Sequence, residues 1–423
     1  MQFARITVIL FLGMPHLRNR YILPCIQNGL KHKGIVGLFG HRQVGKTTVL
    51  EHVSSNYVTL DRSTELQRSM EGPEYFLTSH LGKKPPLAID ECQLSPPLFP
   101  ALKEHVRVDK RPGLFLLSGS VRFSSRKAIR ESLTGRMLAY ELLPFSISEL
   151  EGKPLNTLVL TLLNCRGFSG LKLSRPQKDL LKMPRALQYL KLGGLPGLCF
   201  TRNERDRNDL IESQLDLIFD RDLRLVCDTS LPLSSLKNLV RLLAQMQNTP
   251  LNLSELARQA KISPPTLRKI LAGLEAIFFI RILPCAGNET RPVIFFEDQG
   301  EASYLSSLRL SGTASFSTNF VSDLERLAFA HLRIPFAYTA GLSWEVSQYR
   351  NQGGAYVPFV FRAAGKTLGF ICMQESHPSL SASKNTASFL ARNPEAKMIY
   401  LHPEKDIKIL NEREIVLPLQ CIL

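Results

Sequence analysis

The chain is short of the features that mark secreted and membrane-spanning proteins. Eight cysteines stand far apart at positions 25, 92, 165, 199, 227, 285, 372 and 421, with no C-x-x-C pair and no Cys/His cluster at zinc spacing. That excludes a disulfide framework and a structural zinc site, and predicts reduced, mostly buried thiols in a cytoplasmic chain. No apolar stretch approaches the ~20 residues of a membrane span, so no membrane partner is expected. The opening "MQFARITVILFLGMPHLRN" has a short apolar run like a signal segment but no small-residue cleavage site. A misassigned start explains it more simply, with Met14 as the first native residue and 1–14 as an extension. Internal repeats and low-complexity tracts are also absent.

Acidic residues are outnumbered: Lys and Arg total 53 against 37 Asp and Glu, a formal net charge of +16 in 423 residues. A pI near 9.6 suits an anionic partner, although the excess is spread along the chain and fits a solvated basic surface equally well. The length exceeds what one hydrophobic core supports, so two to four domains are expected.

What is present is sharply organised. After the apolar run "GIVGLF" comes "GHRQVGKTT", in which Gly40, Gly45, Lys46 and Thr47 stand at the spacing G-x-x-x-x-G-K-[ST]. Glycines let the backbone turn tightly, so that the N–H groups of Gly40, His41, Arg42, Gln43, Val44 and Gly45 cradle phosphate oxygens. The helix that follows, carrying Thr48, adds the positive end of its dipole. Lys46 is placed to neutralise the β- and γ-phosphates, and the Thr47 hydroxyl to ligate Mg²⁺. ATP and Mg²⁺ are the cofactors this implies.

Five apolar runs between 15 and 150 ("GIVGLF", "YVTLD", "PLAID", "GLFLLSG", "MLAYELL") predict an α/β three-layer sandwich with a mostly parallel sheet. "PLAIDEC" ends in Asp90, suited to the Mg²⁺ shell, and Glu91, suited to polarise the attacking water. The strand "YVTLD" intervenes between this motif and the phosphate loop, which points to the additional-strand class of ATPases. Ser118, in "LFLLSGS", is placed to sense the γ-phosphate. Arg136, in "LTGR", is a cation suited to stabilise transition-state charge in cis or from a neighbouring subunit.

Residues 151–250 read as a helical domain. Residues 251–289 read as a helix-turn-helix with a wing: Ser263 is a helix N-cap, Pro264 and Pro265 open the second helix, and Arg258, Lys261, Arg268 and Lys269 surround the turn. DNA contact and a purely protein-protein role both fit that pattern. Residues 290–423 alternate strand-like runs with the helix "SDLERLAFAHL", which suggests a separate α/β domain.

Together "GHRQVGKTT", "LDRS" with Asp61, "AIDECQ", "LSGS", "LTGRM" with "LLPFSISEL", "GGLPG", "RDL" at 221–223 and "FFEDQG" at 295–300 resemble the prokaryotic AAA+-like ATPases fused to a C-terminal domain of uncharacterised function. The resemblance runs from residue 18 almost to the end. It implies catalytic roles for Glu91, Ser118 and Arg136, with His41 standing where the family usually has proline. It also implies that 290–423 is like a PD-(D/E)xK nuclease. In that frame Glu325 is kept, but Tyr356 and Pro358 stand where carboxylates belong, and Cys372 and Gln374 replace the Glu-x-Lys. Such a set cannot hold Mg²⁺ or activate water, so no nuclease activity is expected. The function expected is that of an Mg²⁺-dependent ATPase or switch coupled to a DNA- or protein-binding C-terminal region. The alternative is an ATP-binding regulatory protein with little turnover; a protein partner or a second copy of the chain fits either.

Overall fold

The computed structural model describes residues 18–122, 133–171, 183–287, 291–307 and 320–423. The apolar run near the start of the chain lies outside them.

The first sheet is built from β1 (Ile35–Gly40), β2 (Tyr57–Thr59), β3 (Leu87–Asp90), β4 (Phe115–Gly119) and β5 (Met137–Leu142). These are the five runs expected from sequence. Every residue of β1, β3 and β4 is buried, as parallel strands covered on both faces require. All pairings are parallel and the order is β2-β3-β4-β1-β5. The acidic strand β3 is therefore separated from β1 by β4, whereas β2, the strand that intervenes in sequence, lies at the sheet edge. This is the α/β sandwich of the P-loop NTPases with an additional strand. A core containing Ile35, Phe39, Ile89, Phe99 and Leu117 fills one face.

The other face is covered by later parts of the chain. Val36, Leu38 and Leu116 share one continuous core with Ile211 and Leu215 from helix Glu204–Leu217, with Leu267 and Ile270 from helix Pro264–Ala276, and with Ile280 and Ile294. The division into a nucleotide domain, a helical domain at 151–250 and a helix-turn-helix at 251–289 is thus not a division into separate cores. Helix Leu253–Ala260 and helix Pro264–Ala276 do form around the predicted turn, and Ser263 does cap the second, its Oγ accepting from the Thr266 N–H at 3.3 Å. Strand β6 (Ile280–Leu283) pairs antiparallel with β7 (Val293–Phe296). The boundary expected at 289/290 passes between these strands, and "PVIFFED" belongs to this ribbon rather than to the C-terminal sheet.

That sheet is mixed and six-stranded, in the order β12-β13-β11-β10-β9-β8. Its strands are β8 (Trp344–Arg350), β9 (Tyr356–Ala363), β10 (Lys366–Cys372), β11 (Lys397–His402), β12 (Lys408–Asn411) and β13 (Glu414–Pro418). Helix Phe320–Ala337 packs on it through Leu324, Leu327 and Ala328. Val159, Leu162 and Tyr189 join the same core, so residues near 150–190 pack on the C-terminal sheet. All eight cysteines are free, and Cys25, Cys92, Cys227 and Cys372 are buried.

Candidate functional site

The phosphate loop leaves β1 at its carboxyl end. Gly40 lies so close to β5 that an added Cβ would stand 2.5 Å from the Leu142 carbonyl oxygen, and Gly45 adopts φ +100°, where a side chain is strained. Helix Lys46–Val53 starts there with its free N–H groups facing the loop. Lys46 is buried and its Nζ donates to the Gly40 and His41 carbonyls at 3.1 and 3.0 Å, while Thr47 is exposed. Burial holds the Lys46 ammonium below its usual range, against the pull of Glu91 and Asp90.

Asp90 is the hub. Its Oδ2 accepts from Thr47 Oγ1 at 2.6 Å and from the Tyr57 hydroxyl at 3.0 Å, and its Oδ1 accepts from Ser118 Oγ and from the Glu91 N–H at 3.1 Å. A hydroxyl and a carboxylate are thereby held together at the loop, the hard-oxygen set that Mg²⁺ prefers. Among the described residues no three His, Cys, Asp or Glu side chains form a metal-holding group of their own. The donor set thus fits a cation completed by phosphate oxygens and water, which is how Mg²⁺ usually binds at such loops.

Glu91 follows in the left-handed region at φ 56°, uncommon for a residue with a side chain and characteristic of functional turns. Burial raises the affinity of its carboxyl for a proton, opposed by Lys46 and reinforced by Asp90. That suits a base. Its Oε2 accepts from Gln93 Nε2, which also donates to Ser120 Oγ at 3.2 Å.

Arg136 is elsewhere. β5 runs parallel to β1 with Met137 opposite Ile35 and Leu142 opposite Gly40. Exposed Arg136 therefore sits at the opposite end of the sheet from the loop, by roughly 20 Å at 3.3 Å per residue. Its expected role in cis is excluded by this register. Among the described residues, the arginines brought to the loop region include Arg20, which donates to the Val44 carbonyl at 2.8 Å, Arg42, which binds Asp222 at 3.1 Å, and Arg221, which binds Asp61 at 2.7 Å. Arg221 and Asp222 lie on a π-helical stretch, Ile218–Leu223, an irregularity often found at functional sites. The motif "RDL" carried this signal in the sequence. Tyr57 and Gln93 carried none beyond their neighbourhood to the motifs.

His41 ties the loop to the distant part of the chain. Its ring is buried, its Nε2 forms an ion pair at 3.2 Å with Glu301 Oε2, and it stacks on Phe279 with centroids 5.9 Å apart. Burial disfavours the imidazolium, but the Glu301 carboxylate more than compensates and raises its proton affinity. Beyond β4, Arg122 binds Glu141 at 3.0 Å and Glu297 at 3.4 Å. Glu297 in turn binds Arg281 at 2.9 Å and Arg333.

Residues 32–151 match the family described as an AAA domain. Sheet order, phosphate loop and this match give the segment the fold of a P-loop, AAA-like domain. Residues 183–311 match a domain of unknown function, and this second match spans the helices, the helix-turn-helix and both ribbon strands without a break. Two uncharacterized proteins, from Mycobacterium bovis and Mycobacterium tuberculosis, are each 23% identical over 411 residues, covering 94% of this chain and 83% of their own. Among solved structures, a Walker-type ATPase of Pyrococcus abyssi aligns with TM-score 0.40 and 17% identity, over 68% of this chain and 96% of its own. A signal-transduction ATPase with a tetratricopeptide repeat sensor from Pyrococcus horikoshii aligns with TM-score 0.26 and 13% identity, over 74% and 49%. No described helix is long and apolar enough to cross a membrane.

The five positions Glu325, Tyr356, Pro358, Cys372 and Gln374 do come together, lining one cleft of about 930 Å³ far along the chain from the loop. At the helix-turn-helix the basic residues are partly engaged: Arg258 pairs with Glu255 at 2.6 Å and Lys269 donates to the Asp228 carbonyl at 2.7 Å.

Proposed function

We propose that this chain binds ATP with Mg²⁺ and hydrolyses it. The observation that carries the reading is the convergence of Lys46, Thr47, Asp90, Glu91 and Ser118 on one loop mouth, with Thr47 and Ser118 both hydrogen-bonded to Asp90. The backbone from Gly40 to Thr48 would cradle the phosphates, and Lys46 would leave the loop carbonyls to meet them. Mg²⁺, held by Thr47 directly and by Asp90 through its water shell, would supply charge neutralisation at the β- and γ-phosphates. Glu91 would take the proton of the attacking water and Ser118 would position Asp90. Lys46→Ala tests the binding half and Glu91→Gln the chemical half, both read by ATP titration and phosphate release.

The position of Arg136 favours a second element in this reading. Since it cannot reach the loop of its own chain, it would act on the site of a second copy. Phosphate release per chain should then rise with protein concentration, and Arg136→Ala should flatten that rise. Release independent of concentration and unchanged by Arg136→Ala removes the residue from the mechanism and leaves binding with slow turnover by single chains.

Three contacts, the first fully buried, support coupling of nucleotide state to the later part of the chain: His41 with Glu301, Arg42 with Asp222, and Arg122 with Glu297. The region they reach includes the winged-helix arrangement of two helices and the β6–β7 ribbon. With Arg258 and Lys269 already engaged, a protein partner or a second copy suits this surface better than DNA. In the nuclease-like C-terminal part, the neutral residues beside Glu325 leave no metal-assisted cleavage, so that part would bind rather than cut.

A further inference from the structure

We propose that the cleft around Glu325 and Asn248 is a binding site for an organic cation bearing N–H donors, a primary ammonium or a guanidinium. At about 930 Å³ it has the size of a small-molecule site. It is formed where the turn after helix Leu233–Gln245 meets the first turns of helix Phe320–Ala337 and the ends of β9 and β10. Asn248 is the decisive residue. It is only 8% exposed and sits at φ 70°, fixed there by its backbone N–H donating to the Ile294 carbonyl at 3.0 Å. Residues held in that region by their surroundings cluster at ligand clamps. Its Nδ2 donates to Glu325 Oε2 and, at 3.3 Å, to Ser322 Oγ. A carboxylate neighbour requires the amide nitrogen on that side, which leaves Oδ1 as a buried acceptor with no partner among the described residues.

Two adjacent acceptors, Asn248 Oδ1 and the Glu325 carboxyl, call for a ligand that donates to both. Ammonium and guanidinium groups donate and never accept. The charge of the walls agrees: Glu375 adds to Glu325, while Asp323 and Arg326 pair with each other and Arg326 also donates to Gln299 and Ser303. Arg350 lies with its guanidinium 4.2 Å from the Tyr356 ring centroid and offsets part of the Glu325 charge without bonding to it, showing that this ring already accepts a guanidinium on one face. A divalent metal does not suit the cleft. Burial keeps the Cys372 thiol and the Tyr356 phenol protonated, and Glu325 is its only deeply buried carboxyl. Burial also lifts Glu325 to about 7, so the carboxylate needed by a cation is best secured at pH 8.

The test is calorimetric titration of the full chain at pH 8 and low salt, without ATP, using spermidine, N-acetylargininamide and tetramethylammonium. The first two represent a free polyamine and an arginine side chain of a peptide; the third has the charge but no N–H. Saturable binding is expected for spermidine, N-acetylargininamide or both, and whichever binds identifies the source. Tetramethylammonium should not bind. Glu325→Gln should weaken binding by ~10-fold or more, the effect of losing a charged hydrogen bond worth about 1.5–3 kcal/mol. Asn248→Gly, which tolerates the left-handed backbone, should do likewise. No heat from either donor probe at 10 mM, equal binding of tetramethylammonium, or unchanged affinity in both variants overturns the proposal.

Discussion

The phosphate loop and the Glu325 cleft are built from the same material, a buried carboxylate held by a neighbour's hydrogen bond, yet they are wired in opposite ways. At the loop, Asp90 accepts from Thr47, Tyr57, Ser118 and the Glu91 N–H, so its oxygens are satisfied by donors pre-set on two other strands, a helix and the turn after β3. In the cleft Glu325 has Asn248 Nδ2 as its bonded donor, and burial pushes its carboxyl toward neutrality. A carboxylate held by many donors is fixed in place and suits a metal and phosphate chemistry. A carboxylate with one donor is poised, and suits reversible binding.

The largest effect that would sharpen this contrast is on turnover. Glu91→Gln keeps the shape of the site but cannot accept a proton, so phosphate release should fall ~10²- to 10⁴-fold with ATP still bound. Because burial raises its proton affinity above the ordinary 4.5, wild-type turnover should also decline on acidification through a midpoint higher than that value. A rate undiminished down to pH ~4.5, the ordinary carboxyl value, removes Glu91 as the base.

Next comes the ionic junction that joins the two regions. Glu297 is surrounded by Arg281, Arg333 and Arg122, and despite burial they hold its carboxyl well below the usual range. Its contribution to stability is present above the unfolded-state value and is lost as pH falls through the lower folded-state value. Glu297→Gln removes the carboxylate against which Arg333 is buried and leaves Arg122 and Arg281 to Glu141, and denaturant melts should show a loss of about 3–5 kcal/mol. A loss under 1 kcal/mol would mean that the two regions are not joined through this junction.

A smaller effect is expected for Lys46→Ala, where removing one charged contact worth about 1.5–3 kcal/mol should weaken ATP ~10- to 100-fold without altering the melting curve. The smallest concerns the helix-turn-helix. Arg268→Ala with Lys269→Ala should shift any DNA affinity little and leave the salt slope nearly intact, since Lys269 is already engaged by the Asp228 carbonyl. A slope reduced by about two would restore DNA to the account.

The loop, the five strands and the places of Asp90, Glu91 and Ser118 near strand ends could be seen in the sequence because each depends on a local pattern, an apolar run that ends in a polar group, whereas the bond from Ser118 to Asp90 could not. Strand order and register were not visible. "LTGR" precedes β5 as expected, but only the pairing of Met137 with Ile35 shows that Arg136 lies at the far end of the sheet. The same holds for "PVIFFED", whose apolar pattern fits any sheet and whose partner, β6, is a matter of tertiary pairing. His41 stood out in the sequence only as a departure from the usual proline, and its contact with Glu301, 260 residues later, belongs to tertiary packing. Asn248 had no motif around it at all, because an unpaired buried acceptor is a property of packing.

The central claim is that the Asp90-centred loop mouth performs ATP hydrolysis while depending on the chain's own Lys46 and Glu91. The most direct measurement is ATP binding and phosphate release on the same sample of purified chain, with Mg²⁺ and with EDTA, for wild type and Glu91→Gln. The account predicts Mg²⁺-dependent release by the wild type and, in the variant, tight ATP binding with release reduced at least ~10²-fold. Equal release from both proteins, or no ATP bound by the wild type at millimolar nucleotide with Mg²⁺ present, would contradict it.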